Sequence, residues 1–171
     1  EDVYREERTD GYTVSRLCIR DEAHEKIFGK PRGTYVTFMC GKIWLMDDEG
    51  VSRLSVHVAR EIRVMCEKVC GRGVDRGFGV LVAGLGNSDI TPDAIGPDSV
   101  RKLNVTRHLR ALDEALYDTV GRCEISAVFP GVLGQTGIET VELIRGAAEN
   151  ARPDVVLAID ALAARSCERL A

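Results

Sequence analysis

The sequence predicts an α/β fold, a three-layer sandwich in which helices cover a central, mostly parallel sheet. Three unbroken apolar runs of strand length support this prediction: FGVLVAGL after Gly77, Ile125–Phe129 and Val155–Ile159. Strands that are buried on both faces have this composition, and such strands occur in parallel sheets under helices. Helical patterns separate the three runs, so the predicted order is β-α-β-α-β. Right-handed crossovers then bring the three strand ends to one edge.

Elements upstream of this sheet follow from shorter signals. Two runs rich in β-branched and aromatic residues, Tyr12–Ile19 and Thr34–Met39, predict strands. The four residues Ile43–Met46 are too few for their period to distinguish a strand from a packed turn. From Val51 onward, apolar side chains recur at steps of three and four residues, which predicts an amphipathic helix that ends at the glycines of residues 71–73.

The two crossover segments each predict a helix. The first runs from about Ser99 to Leu116, with a break near Asn104 as an alternative to one continuous helix. In the second, Thr136 and Glu139 have the T-x-x-E spacing of a capping box. We therefore expect Thr136 to be the N-cap of the second crossover helix.

Composition and charge exclude several classes of protein. A chain of 171 residues that is 44% hydrophobic and 29% charged fits one globular domain with a sizeable core. The net charge of −4 predicts no nucleic-acid binding. No apolar run approaches the roughly 18 residues of a membrane span, and the first residues lack a secretory signal, so we expect a cytoplasmic protein. Neither the six cysteines nor the three histidines have the spacing of a zinc site, and we expect no metal or cofactor.

The turn after the first apolar run, GLGNSDITPDAIGP, is the most informative segment. Gly86 permits a close backbone approach, and Asn87 can hold the loop by bonding its own backbone. The segment lacks the third glycine of GxGxxG and the Gly-Lys-Ser/Thr of a phosphate loop, so dinucleotide binding is not expected. Thr91 can cap a following turn, and Asp93 in a first helical turn is favoured by the helix dipole.

Asp160 ends the third apolar run, as Asp93 follows the first. Taken singly, each aspartate is readily explained as a helix-start residue. Their predicted position at one sheet edge favours a different interpretation, because two carboxylates held close do not both ionise easily. One then keeps a proton while the other stays charged, and such a pair can activate water and protonate a leaving group. The sequence therefore predicts a hydrolytic site.

Three segments carry a family resemblance: GLGN with ITPDAIGP, then PGVLGQTGIET, then DALAAR. In this order they resemble the motifs of the germination protease family, spore endopeptidases that degrade small acid-soluble spore proteins. Arg8-Thr9-Asp10 and the segment 33–37 resemble the family's mature N-terminus and first strand. The resemblance implies a phosphorylase/hydrolase-like fold similar to the hydrogenase maturation endopeptidases, and an atypical aspartic peptidase whose two essential aspartates match Asp93 and Asp160.

The resemblance also implies an organisation for the chain. Family members lose a short prosequence, form homotetramers and act in the spore core. We therefore expect residues 1–10 to be an N-terminal tail with a prosequence remnant. Residues 11–171 would be the N-terminal part of a peptidase domain that is truncated at its C-terminus. Within the matched segments, the residues expected to bind substrate or shape the loops are Gly86, Asn87, Thr91, Gly131, Gln135, Thr136 and Gly137.

Two alternatives remain open at this point. The acids could be metal ligands, as in hydrogenase maturation endopeptidases, although a carboxylate pair without a suitably placed histidine makes a poor nickel or zinc site. The glycine loops could also hold a phosphate or a peptide without catalysis. One departure from the family pattern is Ser88-Asp89, at a loop position that is more hydrophobic in relatives, where Asp89 adds a third negative charge.

Overall fold

A computed structural model describes residues 3–120 and 123–162 of the chain. These residues fall into two compact units, which divide between Met65 and Cys66. The second unit contains the three predicted apolar strands and is therefore the unit that bears on the candidate site.

The first unit contains an antiparallel sheet of three strands in the order β1-β2-β3. Strand β1 is Tyr4–Thr9, β2 is Tyr12–Ile19 and β3 is Gly33–Met39, with helix α1, Glu22–Phe28, between the last two. The predictions of β2 and β3 are confirmed. Strand β1 is an additional element that no pattern in the sequence predicted, because its charged side chains form no apolar face. Within the segment Ile43–Met46, whose period does not distinguish a strand from a turn, Ile43–Leu45 form a turn of 3-10 helix.

The amphipathic helix predicted from Val51 is confirmed as α2, Asp48–Cys70. It ends where expected, because Gly71 follows with a φ of 66° and donates its N–H to Glu67. Leu54 of α2 is buried against β2, and the partly buried residues packed around this core are Val36, Phe38, Cys40, Met46 and Val58.

The second unit is built on a parallel sheet of three strands in the order β5-β4-β6. Strand β4 is Gly79–Gly84, β5 is Glu124–Val128 and β6 is Val155–Ile159. Together with the flanking helices, this sheet confirms the predicted α/β fold. The central strand is the most deeply buried: its Leu81, Val82 and Ala83 are each at most 4% exposed.

The first crossover is broken into three short helices. These are α3, Ile95–Arg101, α4, Arg107–Leu112, and α5, Glu114–Val120. The prediction of one helix from about Ser99 to Leu116 is wrong, and the alternative, a break near Asn104, is confirmed. Thr106 lies at the end of this break. The buried Thr106 hydroxyl donates to the carbonyl of Cys123 at 2.7 Å and accepts from the N–H of Ile125 at 2.9 Å. These bonds tie the interrupted segment to the start of β5.

The second crossover contains α6, Leu133–Thr136, and α7, Thr140–Ala151. The prediction that Thr136 is the N-cap of the second crossover helix is wrong, because Thr136 is the last residue of α6 and Glu139 occupies the N-cap position of α7. Gly137, with a φ of 71°, ends α6 in the left-handed conformation that glycine adopts readily. The Thr136 hydroxyl accepts from Ile138 N–H at 3.2 Å.

Candidate active site

The carboxyl ends of the three parallel strands meet at one edge of the sheet, as predicted. Gly84 pairs with Ile159 across β4 and β6, and Ala83 pairs with Val128 across β4 and β5. The loop that contains Asp93 therefore starts beside the end of β6, and Asp160 is the first residue after β6. This is the edge at which open α/β sheets place their ligand sites.

Two glycines bring α3 into backbone contact with this edge. A Cβ on Gly96 would lie 2.2 Å from the carbonyl oxygen of Leu85 and 2.5 Å from that of Ile159. A Cβ on Gly84 would lie 2.4 Å from the carbonyl oxygen of Gly96. In addition, Leu85 donates its N–H to the carbonyl of Ile159 at 2.8 Å. The start of α3, two residues after Asp93, is thereby held against the end of the strand that leads to Asp160.

The carboxylate of Asp93 is held from within its own loop. Its Oδ2 accepts the backbone N–H of Asn87 at 2.7 Å, and its own N–H donates to the carbonyl of Ile90 at 2.8 Å. Gly86 has a φ of 113°, and a Cβ there would lie 2.1 Å from the carbonyl oxygen of Asp93. Only glycine fits at this position without displacing Asp93.

Thr91 does not cap the turn that contains Asp93. The 3-10 turn Thr91–Asp93 has Ile90 at its N-cap position and no capping bond from a side chain. The expectation that Thr91 can serve as the cap is therefore wrong, because Thr91 is the first residue of the turn and Pro92, whose backbone angle is fixed, is the second.

Asp160 is exposed, and its Oδ1 accepts the N–H of Ala161 at 2.9 Å. The helix expected from DALAAR lies beyond residue 162, outside the described residues, so the N-cap interpretation of Asp160 stays a prediction. No hydrogen bond joins the carboxyl groups of Asp93 and Asp160 directly within the described part of the chain.

The loop after β5 reaches the Asp93 loop through one side chain, Gln135 of α6. The Nε2 of Gln135 donates to Asn87 Oδ1 at 3.1 Å and to Asp89 Oδ2 at 3.2 Å, while its Oε1 accepts from Val132 N–H at 3.4 Å. Gly131 has a φ of 74°, and its carbonyl accepts the Thr140 hydroxyl. Gln135 and Asn87 were each predicted as loop residues, but the bond between them was not predicted.

A pocket of about 380 Å³ lies on the α3 side of the Asp93 loop. Neither candidate aspartate lines it. The pocket is mixed in character, with apolar side chains beside hydroxyls, a carboxylate and an ammonium group; the lining residues are Ser88, Thr91, Ala94, Ile95, Asp98, Ser99 and Lys102.

Two features considered above, a cluster of metal ligands and a membrane-spanning helix, are absent from the residues that the structure describes. No group of three or more His, Cys, Asp or Glu side chains in residues 3–120 and 123–162 is arranged to hold a metal ion. In the same ranges, no helix has the length and apolar character needed to cross a membrane.

Comparison with known proteins tests the family resemblance. A family model described as germination protease matches residues 1–171. The chain belongs to the germination protease family. The resemblance of the three motifs is thus confirmed over the full sequence.

Curated members of the germination protease family are similar to this chain over most of its length. The germination protease of Caldanaerobacter subterraneus subsp. tengcongensis is 39% identical over 169 residues, which cover 97% of this chain and 49% of that protein. That of Clostridium acetobutylicum is 39% identical over 163 residues, 95% of this chain and 49% of the relative. The germination protease of Bacillus cereus is 41% identical over 168 residues, which cover 98% of this chain and 44% of that protein. The chain spans about half the length of these relatives.

Proposed function

We propose that the intact protein carrying this chain is an endopeptidase that begins the degradation of small acid-soluble spore proteins during germination. Asp93 and Asp160 together activate the water that cleaves the peptide bond. The observation that carries the proposal is the position of the two acids, which follow adjacent parallel strands, β4 and β6, at one edge of the sheet. Membership of the germination protease family supports the substrate class.

The proposed reaction needs one charged and one protonated carboxyl group. The charged carboxylate takes a proton from water as the water oxygen attacks the scissile carbonyl carbon. The protonated carboxyl group gives its proton to the departing amide nitrogen, so the C–N bond breaks to a neutral amine. Two nearby acids sharing one proton meet this requirement near neutral pH.

The loops on either side of the acids are proposed to shape the groove in which the substrate lies. The residues assigned to this role are Gly86, Asn87, Thr91, Gly131, Gln135, Thr136 and Gly137. Gly86 supports this assignment most directly, because any side chain at this position would collide with the carbonyl oxygen of Asp93 and displace the loop that carries it. We also propose that the intact protein forms a homotetramer and acts in the spore core, as is typical of the family. Light scattering of the intact protein tests the tetramer.

The test is cleavage of a small acid-soluble spore protein by the intact protein and by two variants, Asp93→Asn and Asp160→Asn. We expect a loss of at least about a hundredfold in kcat for each, the usual size of a lost acid or base. Asp113→Asn is the matched control. Asp113 lies away from the candidate site, between α4 and α5, and an asparagine there keeps the oxygen that accepts the N–H of Leu116. Near-normal turnover by either active-site variant would overturn the assignment.

The two alternatives give different outcomes in the same assay. A metal-dependent endopeptidase loses activity when a chelator removes its ion, whereas the proposed reaction proceeds unchanged. A non-catalytic binding module binds peptide or inorganic phosphate with no turnover by the intact wild-type protein. Either result contradicts the proposed mechanism.

A further inference from the structure

Both the nitrogen and the oxygen of the Gln135 amide take part in a bridge between two loops. Both hydrogens of its Nε2 are donated across the site, one to Asn87 Oδ1 and one to Asp89 Oδ2, while Oε1 accepts Val132 N–H on its own side. Asn87 Oδ1 also accepts Asp89 N–H at 2.9 Å, so its two lone pairs are both occupied.

This bridge leads to Asp93 through a single residue. The same Asn87 whose side chain accepts from Gln135 donates its backbone N–H to Asp93 Oδ2 at 2.7 Å. The side chain of Asn87 therefore fixes the turn, and its backbone fixes the carboxylate. Residues 89–92 of this loop are exposed, so the polar bonds at Asn87 and Asp89 contribute to holding the loop in place.

We propose that Gln135 is a positioning residue for Asp93, acting through Asn87 and Asp89 by holding the loop after β4 to the loop after β5. This proposal rests on the proposed function, because it assumes that Asp93 takes part in catalysis. Gln135 itself touches neither water nor peptide in this role.

The chemistry of the bridge specifies glutamine. The position must present an acceptor toward Val132 and two donors toward Asn87 and Asp89. A glutamate presents acceptors on both sides, so at neutral pH its charge opposes Asp89. At acidic pH the two carboxyl groups can share one proton, and that proton restores a donor between them. The loop after β4 carries two charged groups near position 135. Asp89 bonds to this position directly, and Asp93 is connected to it by way of Asn87, which bonds to both Gln135 and Asp93.

The experiment compares Gln135→Ala and Gln135→Glu in the intact protein with a control, Glu142→Gln, which changes an exposed side chain on α7. At pH 7 we expect kcat to fall about three- to tenfold in both Gln135 variants, the effect of one or two exposed hydrogen bonds, with KM within about twofold of wild type. The control keeps wild-type kinetics. As the pH is lowered, the deficit of Gln135→Glu shrinks and that of Gln135→Ala does not.

A compensating variant tests the bridge itself. In Gln135→Glu with Asp89→Asn, the new amide can donate to the new carboxylate, and we expect kcat at pH 7 to recover part of the loss. No recovery together with a pH profile parallel to that of wild type overturns the proposal. A rise in KM at constant kcat also overturns it, since that result assigns Gln135 to substrate binding.

A measurement that needs no substrate distinguishes a failure of this proposal from a failure of the proposed function. Hydrogen exchange of the segment 85–95, followed by mass spectrometry, should be faster in Gln135→Ala than in wild type and unchanged in Glu142→Gln. If the intact wild-type protein cleaves nothing, the proposed function fails while the exchange result still decides whether Gln135 holds the loop. Unchanged exchange in Gln135→Ala overturns the bridge.

Discussion

Gly96 meets the backbone of Ile159 so closely that a Cβ on the glycine would lie 2.5 Å from the Ile159 carbonyl oxygen. Gly96 belongs to α3, which follows Asp93, and Ile159 ends the strand before Asp160. This contact joins the two chain segments that carry the candidate acids.

Replacing Gly96 with alanine should therefore destabilise the protein and reduce activity together. The added methyl group overlaps backbone atoms of Leu85 and Ile159 that cannot move independently, and we expect the free energy of unfolding to fall by about 3 kcal/mol. Gly134→Ala in α6 is the control, because nothing lies within 4 Å of its Cβ position. Thermal unfolding of the intact variants measures the difference, and equal melting temperatures would contradict the contact.

The buried hydroxyl of Thr106 gives a second prediction. In Thr106→Val the carbonyl of Cys123 and the N–H of Ile125 both lose their bonds to that hydroxyl. We expect the loss of these two bonds at a buried hydroxyl to lower the free energy of unfolding by about 1–3 kcal/mol. Thr119→Val makes the same change at an exposed site and should cost less than about 1 kcal/mol, as measured by urea unfolding. A similar loss in both variants would show that burial does not decide the effect.

The pH dependence of the first unit should depend on Glu61. The guanidinium of Arg16 donates to this mostly buried carboxylate at 2.5 Å and lowers its pKa from the usual 4.5. A carboxyl group whose pKa is lower in the folded state contributes stability above its unfolded pKa, and that contribution is lost as the pH falls through the folded value. Glu61→Gln should therefore be less stable than wild type at pH 7, and the two should converge at acidic pH.

Glu49→Gln is the control for Glu61, since Glu49 pairs with Arg53 on the exposed surface of the same helix. Exposed pairs of this kind contribute about 0–1 kcal/mol. Chemical unfolding between neutral and acidic pH measures both variants. A gap between wild type and Glu61→Gln that stays constant with pH would contradict the role of the charged carboxylate.

The carboxylate of Asp154 makes a fourth prediction, at the opposite edge of the parallel sheet. It accepts the N–H of Gly79 at 2.7 Å and is paired with Arg72, and these partners lower its pKa. We expect Asp154→Ala to lower the melting temperature at pH 7, because Gly79 loses its acceptor at the start of β4. Asp154→Asn, which keeps an oxygen acceptor, should lose less. If the two substitutions are equally harmful, the bond to Gly79 is not the cause.

The sequence contains enough information for the parallel sheet and its shared edge. Unbroken apolar runs and the helical patterns between them predicted β4, β5 and β6, although only the central strand β4 is deeply buried and Val156 of β6 is 43% exposed. Strand β1 could not be predicted in this way. Its side chains are mostly exposed, and its pairing with β2 depends on backbone bonds that any sequence can make.

Contacts distant in sequence account for what was missed in the site. Gln135 and Asn87 are 48 positions apart, and nothing local to either residue signals their bond. The misplaced cap at Thr136 has a different origin. The T-x-x-E spacing is a local signal, but Gly137 ends a preceding short helix at that point, and the hydroxyl bonds within this turn instead.

The contacts that join α3 to the end of β6 involve main-chain atoms on the strand side and glycine on the helix side. Because every residue has the same backbone, Leu85 and Ile159 can be exchanged for other apolar residues while the spacing between the two acidic segments stays the same. The glycines have no such freedom. Sequence variation within the family should therefore change the apolar residues around the site more readily than Gly84, Gly86 and Gly96. These three glycines set the distance between the chain segments that carry the two acids.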